Sequence, residues 1–212
     1  MLTHSIQIKL TMPVNASLVH NANFHGGTVI ANEDKLLAAL AAALLAHPRG
    51  TLKVIAEAAG VSKATLHRYC GTRENLKNML LNHSAAVITR IISQPDLQEG
   101  PVRPAFEHLL HRHLAHREVM AYAAFNWSPD SPFVGDHSWL HYTQALDAFF
   151  LRGQKEGVFA VELSAAELTE MFGSVMFGLL DAQRRGRVAT ARLAFIIKHF
   201  FTRVPDNGST YL

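Results

Sequence analysis

Residues 51–76 read TLKVIAEAAGVSKATLHRYCGTRENL, and this stretch decides the fold. Val54, Ile55, Ala58 and Ala59 recur at helical spacing, which predicts a short helix over Leu52–Ala59 with one apolar face. Gly60 follows where a sharp turn needs a left-handed residue, because glycine has no Cβ to clash. Val61 plugs the turn, and Ser62 is placed to cap a second helix over Lys63–Cys70 by accepting from a free backbone N–H. That helix points Leu66 and Tyr69 inward and leaves Lys63, Ala64, Thr65, His67 and Arg68 outward or near its N-terminal end. A short, exposed, basic helix of this kind fits a DNA major groove with its N-terminal residues at base edges. Gly71 ends it, and Thr72-Arg73-Glu74 reads as the cap and first turn of a longer helix.

Periodicity and capping alone also allow two core helices that share a glycine turn. The whole string separates the two readings. It resembles the DNA-binding domain of the TetR family of bacterial repressors, matching T-[x3]-IA-[x2]-AGVSK-x-TL-x-R-[YH]-x-G-[ST]-[KR]-E-x-L almost throughout. The matching residues are Thr51, Ile55, Ala56, Ala59, Gly60, Val61, Ser62, Lys63, Thr65, Leu66, Arg68, Tyr69, Gly71, Thr72, Arg73, Glu74 and Leu76. His67 departs from the usual Tyr and Cys70 from the usual Phe. The resemblance implies a homodimer on a palindromic double-stranded operator. It implies direct DNA contacts from Ser62, Lys63, Thr65 and Arg68, with Ala64 among them on the outer face. Thr51, His67, Tyr69 and Arg73 are then positioned for phosphates or neighbouring bases. The specific match covers about a quarter of the chain.

At 212 residues, 49% hydrophobic and 17% charged, the chain is globular and large enough to bury a core in one or two domains. Its formal charge is +3, and residues 28–92 hold eight Lys or Arg against four Asp or Glu. The positive balance thus sits on the helix-turn-helix part, the electrostatic footprint that DNA requires. One cysteine, Cys70, excludes an internal disulfide framework and fits a reducing cytoplasm. No basic stretch leads into an apolar core at the N-terminus, so a secretory signal is not expected. Residues 10–32 lack charge but are broken by Pro13, Gly26 and Gly27, and Leu36–Ala46 and Met171–Leu180 are too short to cross a bilayer.

The expected architecture is all-α. Residues 1–30 read as an extension without sustained period. A helix opens at Glu33 or Asp34, with acids where the dipole favours them, and runs to His47. The DNA-binding domain spans 31–78 with its motif at 51–70. A helix over Arg73–Ile92, with Leu76, Leu80, Val87 and Ile91 on one side, joins it to a helical effector-binding and dimerisation domain over 79–205. Pro95 to Pro101 reads as a linker, further helices fall near 102–117, 118–127, 137–156, 164–186 and 190–203, and 206–212 is a tail. RGQKEGVF, Arg152–Phe159, also resembles the ligand-binding half of TetR-type regulators, less specifically.

Met171, Phe172, Val175 and Phe177 belong to a helix that is apolar almost all round, and Leu193, Ile197 and Phe200 to one with a wide apolar face. Two such helices in succession call for a partner. The family agrees, since its two final long helices pair with their two-fold mates in a four-helix bundle. These seven residues are the expected dimer interface.

Tyr122, Phe125, Trp127, Trp139 and Tyr142 belong to an aromatic concentration that ends at Phe149 and Phe150, with Asp130, Asp136 and Asp147 among the rings. Part of it, Phe149 and Phe150 above all, reads as ordinary core. The remainder, with Asp147, suits the wall of a cavity for a small lipophilic or aromatic effector, and the family resemblance implies one. Aromatic faces beside a carboxylate would suit a cation as readily as a neutral ligand. The chain has 13 histidines, with His137 and His141 four apart and His108/His111 and His113/His116 three apart. No HExxH motif or Cys/His set accompanies them, so no metal is expected. Nor is there a GxSxG, Walker or GxGxxG motif, and no cofactor follows. The reading is a cytoplasmic, homodimeric repressor released from its operator by a small molecule. Its rivals are a DNA-binding regulator without an effector and a helical enzyme using histidines.

Overall fold

The computed structural model describes residues 26–126 and 138–202. Among them the regular elements are α1 (Gly26–Ala46), α2 (Leu52–Ala58), α3 (Lys63–Cys70), α4 (Arg73–Ile92), α5 (Val102–Ala115), α6 (Arg117–Asn126), α7 (Ser138–Lys155), α8 (Ala165–Arg184) and α9 (Leu193–Phe201). Short 3-10 turns occupy Pro95–Leu97 and Thr190–Arg192. The described residues from Lys35 onward form one compact unit, to which residues 26–34 do not belong. The all-α class is as expected. α1 begins at Gly26 rather than at Glu33 or Asp34, because Thr28–Ala31 carries no residue that stops a helix, and both acids fall inside it. The last five residues of the expected extension are therefore helical. Residues 1–25 and 206–212 lie outside the described residues.

The helix-turn-helix forms as its capping residues dictate. Thr51 caps α2 by accepting from the Val54 N–H, and Gly60 turns the chain at φ +72°. Ser62 caps α3 by accepting from the Thr65 N–H at 3.0 Å, Gly71 ends that helix at φ +71°, and Thr72 caps α4. α4 spans about 30 Å and buries Leu76, Leu80, Val87 and Ile91 as expected, with Ser84 between them. It touches α3 at one end and α5, α6 and α7 beyond, so the reading head is fastened to the rest by a continuous rod.

The segment after α4 is not a loose linker. Leu97 is buried, and Asp96 pairs with Arg112 and with His108 Nδ1 at 3.0 Å on α5. Arg152 of α7 donates to the carbonyl oxygens of Asp96, Leu97 and Gly100. These partners lie far apart in sequence, so the prolines were legible and the tethers were not.

α7 packs most extensively along α8, and α5 against α9. Between them Phe106, Phe149, Phe150, Phe159, Phe172 and Phe201 form one buried ring cluster, with Phe106 5.2 Å from Phe159 and 6.1 Å from Phe172. Each such pair adds about 0.5–1.5 kcal/mol beyond its burial. Phe149 and Phe150 are core, as the plain reading of the aromatic run expects. Gly153 is needed here, because a Cβ would lie 2.2 Å from the Phe159 ring.

α8 starts with a reciprocal cap in which Ser164 Oγ accepts from the Glu167 N–H and Glu167 accepts from the Ser164 N–H. Its inner stripe is Leu168, Phe172, Met176 and Leu180, and that of α9 is Leu193, Ile197 and Phe201. Three residues expected at the dimer interface, Phe172, Leu193 and Ile197, are therefore fully buried in the protomer's own core. A wide apolar face divides into core and surface stripes at the helical period, and residue type alone does not separate them. Met171, Val175 and Phe177 are half-buried, and Phe200 is exposed.

Candidate functional site

α3 presents its polar side to solvent because Leu66 and Cys70, four apart, anchor the opposite side. Lys63, Ala64, Thr65, His67 and Arg68 are exposed, and Tyr69 is half-buried. Lys63, His67 and Arg68 make no ion pair among the described residues, so their donors are available to phosphates and base edges. Ser62 and Thr65 also share a hydroxyl–hydroxyl bond of 2.8 Å, which orients both at the start of the helix. Cys70 donates its S–H to the Leu66 carbonyl oxygen and is buried, and burial pushes its thiol pKa up. It is a packed residue in the place where the family commonly carries Phe.

Arg73, expected beside a phosphate or neighbouring base, has an intramolecular partner in the unbound protein. Its guanidinium reaches back to the carbonyl oxygen of Pro48, and its Nε is buried without a partner. It stands at the first position of α4, where it faces the chain joining α1 to α2.

The effector residues expected from sequence fall into separate places. Tyr122 and Phe125 of α6 line a cavity of about 310 Å³, together with Leu44 and Leu45 of α1, Arg73 and Lys77 of α4, and Arg184 of α8. Tyr122 is 2% exposed, yet its hydroxyl has no hydrogen-bond partner. Burial pushes its pKa up to about 12, with Arg73 lowering it and Glu74 raising it by charge, so the phenol keeps its proton. Phe125 is 53% exposed and forms an open apolar wall. Arg73, Lys77 and Arg184 carry no sequence signal that joins them, because they come from two helices more than a hundred residues apart.

Trp139 and Tyr142 of α7 do not line that cavity. Their rings stack at 5.2 Å, and Tyr142 is buried, donating to His113 Nε2 at 2.7 Å. His113 Nδ1 donates to the Leu109 carbonyl oxygen at 2.8 Å, which fixes a neutral imidazole. Burial lowers its pKa to about 4, against a rise from that backbone bond and with smaller lowering from Arg112 and His116. The signal for a core histidine was present, since His113 continues the Phe106, Leu109 and Leu110 stripe of α5. Asp147 is half-buried with one carboxylate oxygen unpartnered. Trp127, Asp130, Asp136 and His137 lie outside the described residues. Among the described residues no group of three or more His, Cys, Asp or Glu converges as a metal site, and no helix is long and apolar enough to cross a membrane.

A capped, exposed, basic second helix held at the end of a long rod defines a helix-turn-helix DNA-binding protein. No family-wide sequence profile matches the chain. The HTH-type transcriptional regulator NfxB of Pseudomonas aeruginosa is 45% identical over 184 residues, which span 85% of this chain and 97% of that protein. The TetR-like regulator LfrR of Mycobacterium smegmatis, solved in complex with proflavine, superimposes with a TM-score of 0.54 at 23% identity. That match covers 79% of this chain and 94% of LfrR. A transcriptional regulator of Saccharomonospora viridis, solved with choline, gives 0.54 at 18% identity, covering 82% of this chain and all of that one. The chain belongs to the family of HTH-type transcriptional regulators that includes NfxB, and its fold is that of the TetR-like regulators. It is a regulator and not an enzyme, which removes the histidine-based rival.

Proposed function

We propose that this regulator is a cytoplasmic, homodimeric repressor that binds a palindromic operator and leaves it on binding a small lipophilic or aromatic molecule. The observation that carries the reading is α3, whose exposed Lys63, His67 and Arg68 have no ion pair among the described residues and whose cap is built from Ser62 and Thr65. Lys63 meets a phosphate, Arg68 reads a base edge, and Thr51, His67 and Tyr69 adjoin the backbone. Dimerisation falls to the outer stripes of α8 and α9. Met171, Ser174, Val175 and Gly178 make a low surface on one, and Phe195 and Phe200, both over half exposed, stand on the other. Effector release is supported by the cavity where α1, α4, α6 and α8 meet, and by the proflavine and choline held by the two structural neighbours. The test is operator binding by the full chain with and without candidate compounds, read beside direct compound binding. Release over the range in which the compound binds supports the switch. A compound that binds while operator affinity stays constant refutes it.

A further inference from the structure

The cavity beside the reading head has a charge opposite to that expected for a cation-binding pocket. Arg73, Lys77 and Arg184 line it, and no carboxylate does. Nearby, Glu74 pairs with Lys77 at 3.2 Å, and Asp181 is divided between Arg184 at 2.8 Å and Arg185 at 2.7 Å. Arg73 has no carboxylate partner among these, only the Pro48 carbonyl oxygen. Two buried donors in residues of its wall lack an acceptor: the Tyr122 hydroxyl, on a residue 2% exposed, and the Arg73 Nε. Burying donors unpaired is costly, and an oxyanion drawn against this wall, with a small shift of the two side chains, would give them an acceptor and add charge-assisted bonds to the guanidinium. Leu44 and the exposed ring of Phe125 supply the apolar remainder. At about 310 Å³ the space is at the small end of ligand pockets, roughly 300–1,000 Å³.

We infer that this cavity binds a small organic anion with an apolar or aromatic body, its carboxylate on Arg73 and Tyr122, and that this anion is the effector. The inference rests on the effector-released reading above and gives that effector its charge and its place. It also supplies a route to the DNA. Arg73 is the first residue of α4, and its bond to Pro48 holds the chain that leads into Thr51 and α2. A carboxylate that takes over Arg73 weakens that tether, so anion binding and operator binding oppose each other, and by linkage the opposition is reciprocal.

The test uses the full chain and a matched pair of probes, 2-naphthoate and 2-naphthylmethylamine, titrated by calorimetry at constant ionic strength. Naphthoate should bind about ten-fold or more tightly than the amine. Tyr122→Phe and Lys77→Gln should each weaken naphthoate several-fold while keeping helical circular dichroism and unliganded operator affinity. Tyr122→Phe removes an unpartnered hydroxyl, so a merely structural role predicts equal or greater stability and no change in naphthoate binding. Saturating naphthoate should lower operator affinity by about five-fold or more. Equal binding of the two probes, no naphthoate binding at millimolar concentration, or unchanged binding by both variants would overturn the site. Naphthoate that binds without moving operator affinity would overturn its role as effector. If the unliganded protein selected no duplex at all, the repressor reading would fall on its own, and calorimetry would still decide the site.

Discussion

The Arg73 guanidinium donates to the carbonyl oxygen of Pro48, 25 residues earlier, and so ties the first turn of α4 to the end of α1. The chain between them carries α2 and α3, so the bond closes a loop around the whole reading head. Hydrogen bonds from charged groups contribute about 1.5–3 kcal/mol. Arg73→Ala should cost about that much stability in denaturant unfolding and weaken operator binding. If unfolding is unaffected, the tether does not hold the head.

Charge and base contacts on α3 should separate by their salt and sequence dependence. Lys63→Ala should weaken binding to all duplexes and lower the salt slope by about one unit. Arg68→Ala should cost about 1–3 kcal/mol on the operator and relax preference at one base pair. Ser62→Ala should cost about 0.5–2 kcal/mol of stability through the lost cap. Binding isotherms at several salt concentrations, on operator and scrambled DNA, distinguish these outcomes.

The core should react sharply at Gly153. Its Cβ would fall 2.2 Å from Phe159 and 2.9 Å from Val102, so Gly153→Ala forces the ring cluster apart. Overpacking of this kind costs about 1–3 kcal/mol. A denaturant midpoint equal to that of the wild type would show that Phe159 moves freely.

His113 makes stability fall in mild acid. Its folded pKa of about 4 lies below the ordinary 6.5, so between those values the unfolded chain binds the extra proton. Stability is full above pH 6.5 and declines as pH falls toward 4, by about 3 kcal/mol in all. Unfolding curves from pH 7 to 4 should show this slope, and His113→Gln should flatten it. Tyr142→Phe removes the donor to Nε2 and should reduce stability at pH 7.

The outer stripe of α8 separates dimerisation from folding. A Cβ at Gly178 meets nothing within 4 Å in the protomer, and the residue is exposed, so Gly178→Arg should fold normally and sediment as a monomer. Ile197→Asp, in the core, should unfold the protein instead. A Gly178→Arg variant that remains dimeric would place the interface elsewhere.

What the sequence made legible was local. Gly60, Ser62, Gly71 and Thr72 announce their turns and caps because the chemistry acts within three or four residues. The burial of Leu76, Leu80, Val87 and Ile91 follows from helical period. Arg73, Arg152 and the Tyr142–His113 pair were not legible, since their partners are 25 to 56 residues away. The aromatic run between Tyr122 and Phe150 divided among a cavity wall, a buried hydrogen bond and a ring cluster, which composition cannot distinguish. Phe172, Leu193 and Ile197 show the same limit, because an apolar residue faces its own core or a partner with equal chemistry.

The most direct measurement is the affinity of the unliganded full chain for a duplex enriched from genomic fragments, against a scrambled duplex at the same salt. The expected result is an enriched palindrome with half-site centres about 34 Å apart or a multiple of it. It should bind about a thousand-fold or more tightly than the scrambled control, and Arg68→Ala should erase much of that preference. Equal affinity for both duplexes, or no enriched sequence, would contradict sequence-specific repression by this chain.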